Sequence, residues 1–390
     1  MKKVLIYFPE WKLLPKGGPA GYLYNLKNGL ADVPNDDLEI SFYHNGAKGI
    51  EDNSELRSRV PKRIKDIRRL YKFKKYLKRK LPADESLFEY DAIHFHKTED
   101  LYFNRDFLEK YKGKVILTSH TPCAPYQELI GRLNPIDYKR HKKKIDNLVK
   151  IEEYAFQRAD YIIFPCEQAE EPYYNTWESY PEIRKKEKYR YLPNGIVGCQ
   201  AKISRNEYRK QHGIPEDAFV ISYAGRHNEI KGYGDLKKIG ETVLKDKNVY
   251  FLIAGREGPL YKLENDRWIE IGWTTDPHSL IASSDMFLLP NHETYFDLIL
   301  LEVISLGIPV LMSYTGGNKY FEKFGSKALK FYKSIDEAVG KIEEFRAMSS
   351  VERKLSGESL IELFDSNFTT DIFTRNYIEI LKEILEVCTI

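Results

Sequence analysis

Apolar residues in this chain fall into short unbroken runs, separated by longer stretches in which they recur at helical spacing. Val4-Leu5-Ile6-Tyr7-Phe8 is the first such run, and a loop holding Pro15, Gly17, Gly18, Pro19 and Gly21 follows it. Tyr22, Leu23, Leu26 and Leu30 then repeat with the period of a helix. Unbroken runs suit strands buried on both faces of a parallel sheet, and strands alternating with helices predict an α/β fold.

The alternation continues along the chain. Strands are expected at Leu38–Tyr43, Ala92–Phe95, Val115–Thr118 and Tyr161–Phe164. A second series starts after Asn194-Gly195, with strands at Phe219–Tyr223, Val249–Ile253, Trp268–Ile271, Met286–Leu289 and from Pro309 onward. The two series echo each other: Arg158-Ala159-Asp160 precedes a strand ending at Pro165, and Ser283-Ser284-Asp285 precedes one ending at Pro290. The turn chemistry of Pro193-Asn194-Gly195 places a domain boundary there, giving domains 1–195 and 196–369. The tail, with Ile372, Phe373, Tyr377, Ile380, Leu381, Ile384 and Leu385 on one face, predicts an amphipathic helix over about 370–390 that crosses back to the first domain.

One segment departs from this rhythm. Residues 57–80 hold 13 Lys or Arg and a single acid, Asp66, interleaved with Ile64, Ile67, Leu70, Tyr71, Phe73, Tyr76 and Leu77. This pattern predicts a basic amphipathic helix, which suits an anionic membrane surface or a solvated helix packed on its own sheet.

Composition adds three constraints. The 390 residues suffice for two or three domains and two full cores. Residues 1–200 carry 37 Lys+Arg against 29 Asp+Glu, and the rest of the chain 24 against 29, so the basic half is the one expected to meet something anionic. That excess is too small for a dedicated nucleic-acid binder, and no nucleic-acid partner is expected. The four cysteines are scattered and form no CxxC or Cys/His spacing, so no metal site is expected and the thiols read as buried and reduced. The five apolar residues after Met1-Lys2-Lys3 are too few for a signal peptide, and the run Leu298–Leu311 is broken by Glu302, Gly307 and Pro309. A cytoplasmic protein is expected, peripheral on the inner membrane face if residues 57–80 act there.

Chemistry is sought at the carboxyl ends of the strands, where such sheets bind ligands. Ala224-Gly225-Arg226 through Lys231-Gly232 sets two cations beside a glycine-flexed turn, as a pyrophosphate requires. Asn291 to Asp297 leaves another strand end, and Glu302 lies in the apolar helix after it, where a carboxylate needs a partner: a vicinal diol such as ribose, a cap or a salt bridge.

These motifs, in order and spacing, resemble the retaining nucleotide-sugar glycosyltransferases of the GT-B architecture, family 4 in particular, of the bacterial capsule and exopolysaccharide type. The similar stretches are Gly17-Gly18, Pro193-Asn194-Gly195, Gly225-Arg226 with Lys231-Gly232, Ile253-Ala254-Gly255, Gly272 with Asp276, Ser284-Asp285 to Pro290, Glu293 to Glu302, Gly307 to Val310 and Gly316-Gly317-Asn318. The resemblance implies two Rossmann-like domains facing a central cleft. It implies that Arg226 and Lys231 neutralise the departing diphosphate, that Glu302 holds the ribose, and that Glu293, Thr294, Tyr295 and Phe296 hold sugar and phosphates, partly through backbone amides. Gly17, Gly18, Asn194 and Gly225 belong to the implied donor site, and His120 matches the cleft histidine near the reacting sugar carbon.

One departure matters. The family sets seven residues between its paired glutamates, whereas eight separate Glu293 from Glu302 and Thr294 stands at the seven-residue position, so either the loop holds one extra residue or Thr294 takes the first role. No two aspartates stand two residues apart, which fits chemistry without a divalent ion. The implied function is metal-independent transfer of a sugar from a nucleotide-diphosphate donor, most simply a UDP-sugar, to a saccharide or lipid-linked saccharide acceptor, with no cofactor. Alternatives are an epimerase or hydrolase of the same fold, and a non-catalytic membrane- or RNA-binding protein.

Overall fold

A computed structural model of the chain describes residues 1–9, 13, 18–43, 61, 64–65, 68, 78, 84–130, 133 and 135–387. Almost all of the basic stretch 57–80, together with Gly17 and Cys388, lies outside the described residues.

The chain divides into two compact units. The first comprises Met1–Pro165, Pro172–Leu192 and Thr374–Ile390, and the second Cys166–Glu171 and Pro193–Phe373.

The first unit is built on β1 (Lys2–Tyr7), β2 (Leu38–Phe42), β3 (Ala92–Phe95), β4 (Lys114–Leu117), β5 (Tyr161–Phe164) and β6 (Tyr189–Tyr191), in the order β2-β1-β3-β4-β5-β6. Every pairing is parallel. The central strands are wholly apolar or nearly so because both faces are covered: Val4, Ile6, Ile93, Phe95, Val115 and Leu117 are completely buried. The last helix, Thr370–Ile384, enters this unit at Thr374. There the Tyr377 hydroxyl bonds His94 Nδ1 at 2.9 Å, and Lys382 pairs with Asp37 at 2.7 Å.

The second unit repeats the plan with β7 (Phe219–Ala224), β8 (Val249–Ala254), β9 (Trp268–Gly272), β10 (Met286–Leu289), β11 (Val310–Ser313) and β12 (Leu329–Tyr332), ordered β12-β11-β10-β7-β8-β9. All its pairings are parallel too. Its core runs from Ile221, Phe251 and Ile253 through Met286, Leu288 and Leu311 to the helix residues Leu236, Ile239 and Ile342. The short segment Cys166–Glu171 groups with this unit, where Glu171 pairs with Lys319 and accepts the Gly316 N–H at 3.3 Å.

Two strands are absent from the sequence reading, β6 and β12. Both are edge strands of three or four residues, Tyr-Arg-Tyr and Leu-Lys-Phe-Tyr, so neither shows the unbroken apolar run of an interior strand. Among the described residues, no helix is long and apolar enough to cross a membrane.

Candidate functional site

In the second unit three strand ends are stitched together. The loop after β7 reaches the loop after β10 through His292 N–H, which donates to the Ile230 carbonyl at 3.0 Å. Gly232 lies against it so tightly that a Cβ there would stand 1.6 Å from the Pro290 carbonyl oxygen, and its φ of +63° is one that side chains disfavour. The loop after β11 joins through Gly317 N–H to the Thr294 carbonyl at 3.1 Å and Ser313 Oγ to the Asn291 carbonyl at 2.5 Å. A Cβ on Gly317 would meet the Tyr295 carbonyl oxygen at 2.1 Å. The glycines are therefore where loops close on one another.

This stitching sets the predicted side chains. Lys231 carries its ammonium to Asp297, 2.7 and 2.6 Å from the two carboxylate oxygens, and Asn291 Nδ2 donates to the same carboxylate. Asp297 is the N-cap of the helix Leu298–Ser305, which carries Glu302. Arg226 is exposed, and its guanidinium makes no hydrogen bond or ion pair among the described residues. Gly225 donates to the Ala254 carbonyl at 3.0 Å, and Gly255 closes on its carbonyl, with a Cβ 1.8 Å away were one present.

At the displaced glutamate position, Thr294 is fully buried and its Oγ1 has no partner among the described residues. Glu293 beside it is half-buried. Oδ1 of Asn291 and of Asn318 are likewise buried and unpartnered. Buried polar atoms without partners are rare in folded proteins, and those of Asn291, Thr294 and Asn318 fall in this one loop cluster. Tyr295 is buried, and the Phe296 ring packs against Tyr320, Phe321 and Phe368, which leaves Phe296 its backbone as a polar contact. Asn194 is buried next to Gly195, where a Cβ would stand 2.4 Å from the Thr369 carbonyl.

Glu302 has a partner that the sequence reading missed. His278 Nε2, from the helix Pro277–Ala282, lies 3.1 Å from Glu302 Oε2. The adjacent Cys199 side chain first, and the Glu302 carboxylate second, push the His278 imidazole up to about 10, so it is a cation at neutral pH. No spacing joins residues 199, 278 and 302; the one local signal was Asp276-Pro277, which caps the helix that presents His278.

In the first unit, His120 follows β4 with φ +60°. Its Nε2 is 2.8 Å from His96 Nδ1, and its ring packs edge-on against Tyr22. Burial first, and Lys97 second, push His120 down to about 3, so the ring is neutral. His94 lies tilted against His96, with ring centroids 4.1 Å apart, and bonds Thr118 Oγ1 at 2.9 Å. Gly18 caps the helix Pro19–Asp32 with φ +78° and open space around it, and donates no side chain to that helix.

Two family models match the chain: glycosyltransferase family 4 over residues 16–197, and glycosyl transferases group 1 over residues 204–357. The chain belongs to the family 4, group 1 glycosyltransferases. Among curated relatives it is 26% identical over 201 residues to the capsular polysaccharide biosynthesis glycosyltransferase CapM of Staphylococcus aureus, covering 45% of this chain and 53% of that one. It is 29% identical over 114 residues to the O-antigen biosynthesis glycosyltransferase WclY of Escherichia coli, covering 27% of this chain and 31% of that one. The matches thus span 31% and 53% of those relatives' length. Among solved structures, sucrose-phosphate synthase from Thermosynechococcus elongatus superposes with a TM-score of 0.68 at 14% identity, covering both chains fully. HepE of Anabaena, solved with UDP-glucose, gives 0.63 at 15% identity over 98% of this chain and 100% of that one. This family member has the GT-B fold, two Rossmann-like parallel α/β units.

Proposed function

We propose that this chain transfers a sugar, with retention at the anomeric carbon and without a catalytic metal, from a nucleoside-diphosphate sugar to a hydroxyl of a saccharide or lipid-linked saccharide in cell-surface polysaccharide synthesis. The observation that carries the reading is the closure of three strand-end loops of the second unit around Lys231, exposed Arg226 and the unpartnered Thr294, in a chain of this family.

Transfer breaks the bond between the anomeric carbon and the diphosphate and forms one to the acceptor oxygen. Charge develops on the departing diphosphate, and fixed cations act there in place of a metal. Arg226 and Lys231 supply them, aided by the positive end of the helix Leu298–Ser305. Glu302 takes the ribose diol, displacing His278. Thr294 fills the place of the first family glutamate, with backbone amides around Glu293 to Phe296. His120 belongs to the first unit's contribution to the reacting sugar. A UDP-sugar is the proposed donor, and the structural neighbour HepE was solved in complex with UDP-glucose. The basic stretch 57–80 would hold the protein on the inner face of an anionic membrane beside its acceptor. Reversing its charges should then release the protein from anionic vesicles, and unchanged binding would remove this part of the reading.

The deciding experiment is a thermal-shift series with UDP, GDP and ADP and their sugars, followed by product analysis. A ligand at 100 times its Kd stabilises by about 2.7 kcal/mol. A shift with one nucleotide, and acceptor-dependent turnover, is expected. No shift with any of them would end the reading, and turnover of donor alone would replace it with hydrolysis or epimerisation.

A further inference from the structure

Cys199, His278 and Glu302 converge in the second unit. Each offers one ligand atom, and the three atoms lie within 4.8 Å of one another, all on half-buried residues. Among the described residues, no other group of three such side chains converges in this way.

Hydrogen bonds that use none of these three side chains hold their backbones in place. The Cys199 N–H donates to Ser305 Oγ at 3.1 Å, tying its segment to the helix that carries Glu302. Ser279 Oγ accepts the N–H groups of Lys202 and Ile203 at 2.9 and 3.0 Å, tying the same segment to the helix that carries His278. Asp276 caps that helix by accepting the Ser279 N–H at 3.2 Å. Such a supporting shell is what separates a preorganised ligand set from a chance encounter of polar side chains.

We propose that Cys199 Sγ, His278 Nε2 and a Glu302 carboxylate oxygen form a binding site for a thiophilic divalent cation of the zinc class. One thiolate, one imidazole and one carboxylate are the donors zinc takes, and three protein ligands leave a fourth position for water. Ligand atoms around tetrahedral zinc sit about 2.0–2.3 Å from the ion. Side-chain rotation on the fixed backbones draws the three atoms to that distance. The thiol proton, and the proton between His278 and Glu302, leave as the ion enters.

A consequence rests on the donor reading given above. Glu302 cannot hold the ion and a ribose diol together, so cation and nucleotide exclude one another, and the exclusion is reciprocal.

The test uses Co²⁺ as a spectroscopic probe on the full-length protein. Titration should raise a thiolate-to-metal charge-transfer band that saturates at one equivalent and is bleached by Zn²⁺. Cys199→Ser should abolish the band while leaving UDP binding unchanged. Absence of the band, or its survival in Cys199→Ser, would overturn the site. UDP at 100 times its Kd should weaken Co²⁺ binding about 100-fold. If UDP binds and Co²⁺ affinity does not move, the exclusion and the ribose role of Glu302 fall, while the metal site stands on its band.

Discussion

Both carboxylate oxygens of Asp297 grip the Lys231 ammonium, at 2.7 and 2.6 Å. The cation is thus aimed before any donor arrives, by a residue that also starts the next helix. Lys231→Ala removes one preorganised charge from the site, and loss of one such stabiliser costs about 10²–10³ in rate. The Lys231 side chain is partly exposed, so the fold should persist. Single-turnover rates of the variant, beside an unchanged melting curve, check this. Wild-type rates would remove Lys231 from the mechanism.

A second network lies at the opposite ends of the strands and concerns stability alone. Asp285 is buried. It accepts from Val220 N–H and Arg209 Nη2, both at 2.8 Å, and pairs with Arg205 and Arg353 at 2.7 and 3.0 Å. Against the burial that would raise it, Arg205, the Val220 N–H and Arg209 hold its carboxyl below the usual range. Asp285→Ala strands the fully buried Arg209 and should cost about 3–5 kcal/mol, the range for breaking a buried pair from one side. Denaturant unfolding measures it, and a loss under about 1 kcal/mol would contradict the assignment.

This network explains the echo visible in the sequence. Asp160 N–H donates to the Val115 carbonyl and its carboxylate takes the Val115 N–H, both at 2.8 Å. Asp285 does the same to Val220 across β10 and β7, again at 2.8 Å. An aspartate thus pins the entry of a strand to its neighbour in both sheets, and in the first Asp91 repeats the device with Lys3. The interior strands were legible because burial on both faces writes itself as an apolar run, whereas β6 and β12, half-exposed at the edges, write nothing so regular. The cation cluster was legible because Arg226 to Lys231 is continuous in sequence. The trio Cys199, His278 and Glu302 was not, because folding alone brings it together. Neither was the engagement of Lys231 by Asp297, since a pair so far apart along the chain has no periodic signature.

Two glycines two residues apart make a controlled comparison. A Cβ on Gly232 would stand 1.6 Å from the Pro290 carbonyl oxygen, at φ +63°, whereas one on Gly234 would meet nothing nearer than 3.9 Å. Gly232→Ala must therefore push apart the loops that carry Lys231 and Thr294, and nucleotide affinity should fall at least about 10-fold, or 1.4 kcal/mol. Gly234→Ala, inside the helix Tyr233–Val243, should keep affinity and gain up to about 1 kcal/mol of stability. Calorimetric titration with UDP, the proposed donor nucleotide, separates the two.

His120 stays neutral throughout the working range, because burial holds it at about 3. If it contacts the reacting sugar, it does so as a neutral hydrogen-bonding ring. His120→Gln should then lower the rate by the same factor from pH 5 to pH 8, leaving the shape of the profile intact. A wild-type inflection near the ordinary histidine value of about 6.5 that the variant lacks would show that the ring titrates.

His278 behaves in the opposite sense, and its sign is read from stability. The ordinary value is 6.5, and contact with Cys199 and Glu302 raises it to about 10 in the folded chain. The folded state therefore holds the proton more tightly than the unfolded state does. The resulting stabilisation is complete below about 6.5 and fades as pH rises toward about 10, because there the folded protein also surrenders the proton. Subtracting the melting temperature of His278→Gln from that of the wild type isolates this contribution from the other titrations. The difference should be positive and flat at pH 5–6 and shrink steadily between pH 7 and pH 10. The ring is about a third exposed, so solvent screening keeps the plateau small, of the order of a surface to half-buried pair. Saturating nucleotide should flatten part of the slope, because a ribose diol on Glu302 removes the second of the imidazole's two partners and leaves Cys199 in place. A difference that grows with pH would mean that the ring is neutral in the folded protein and makes no ion pair with Glu302.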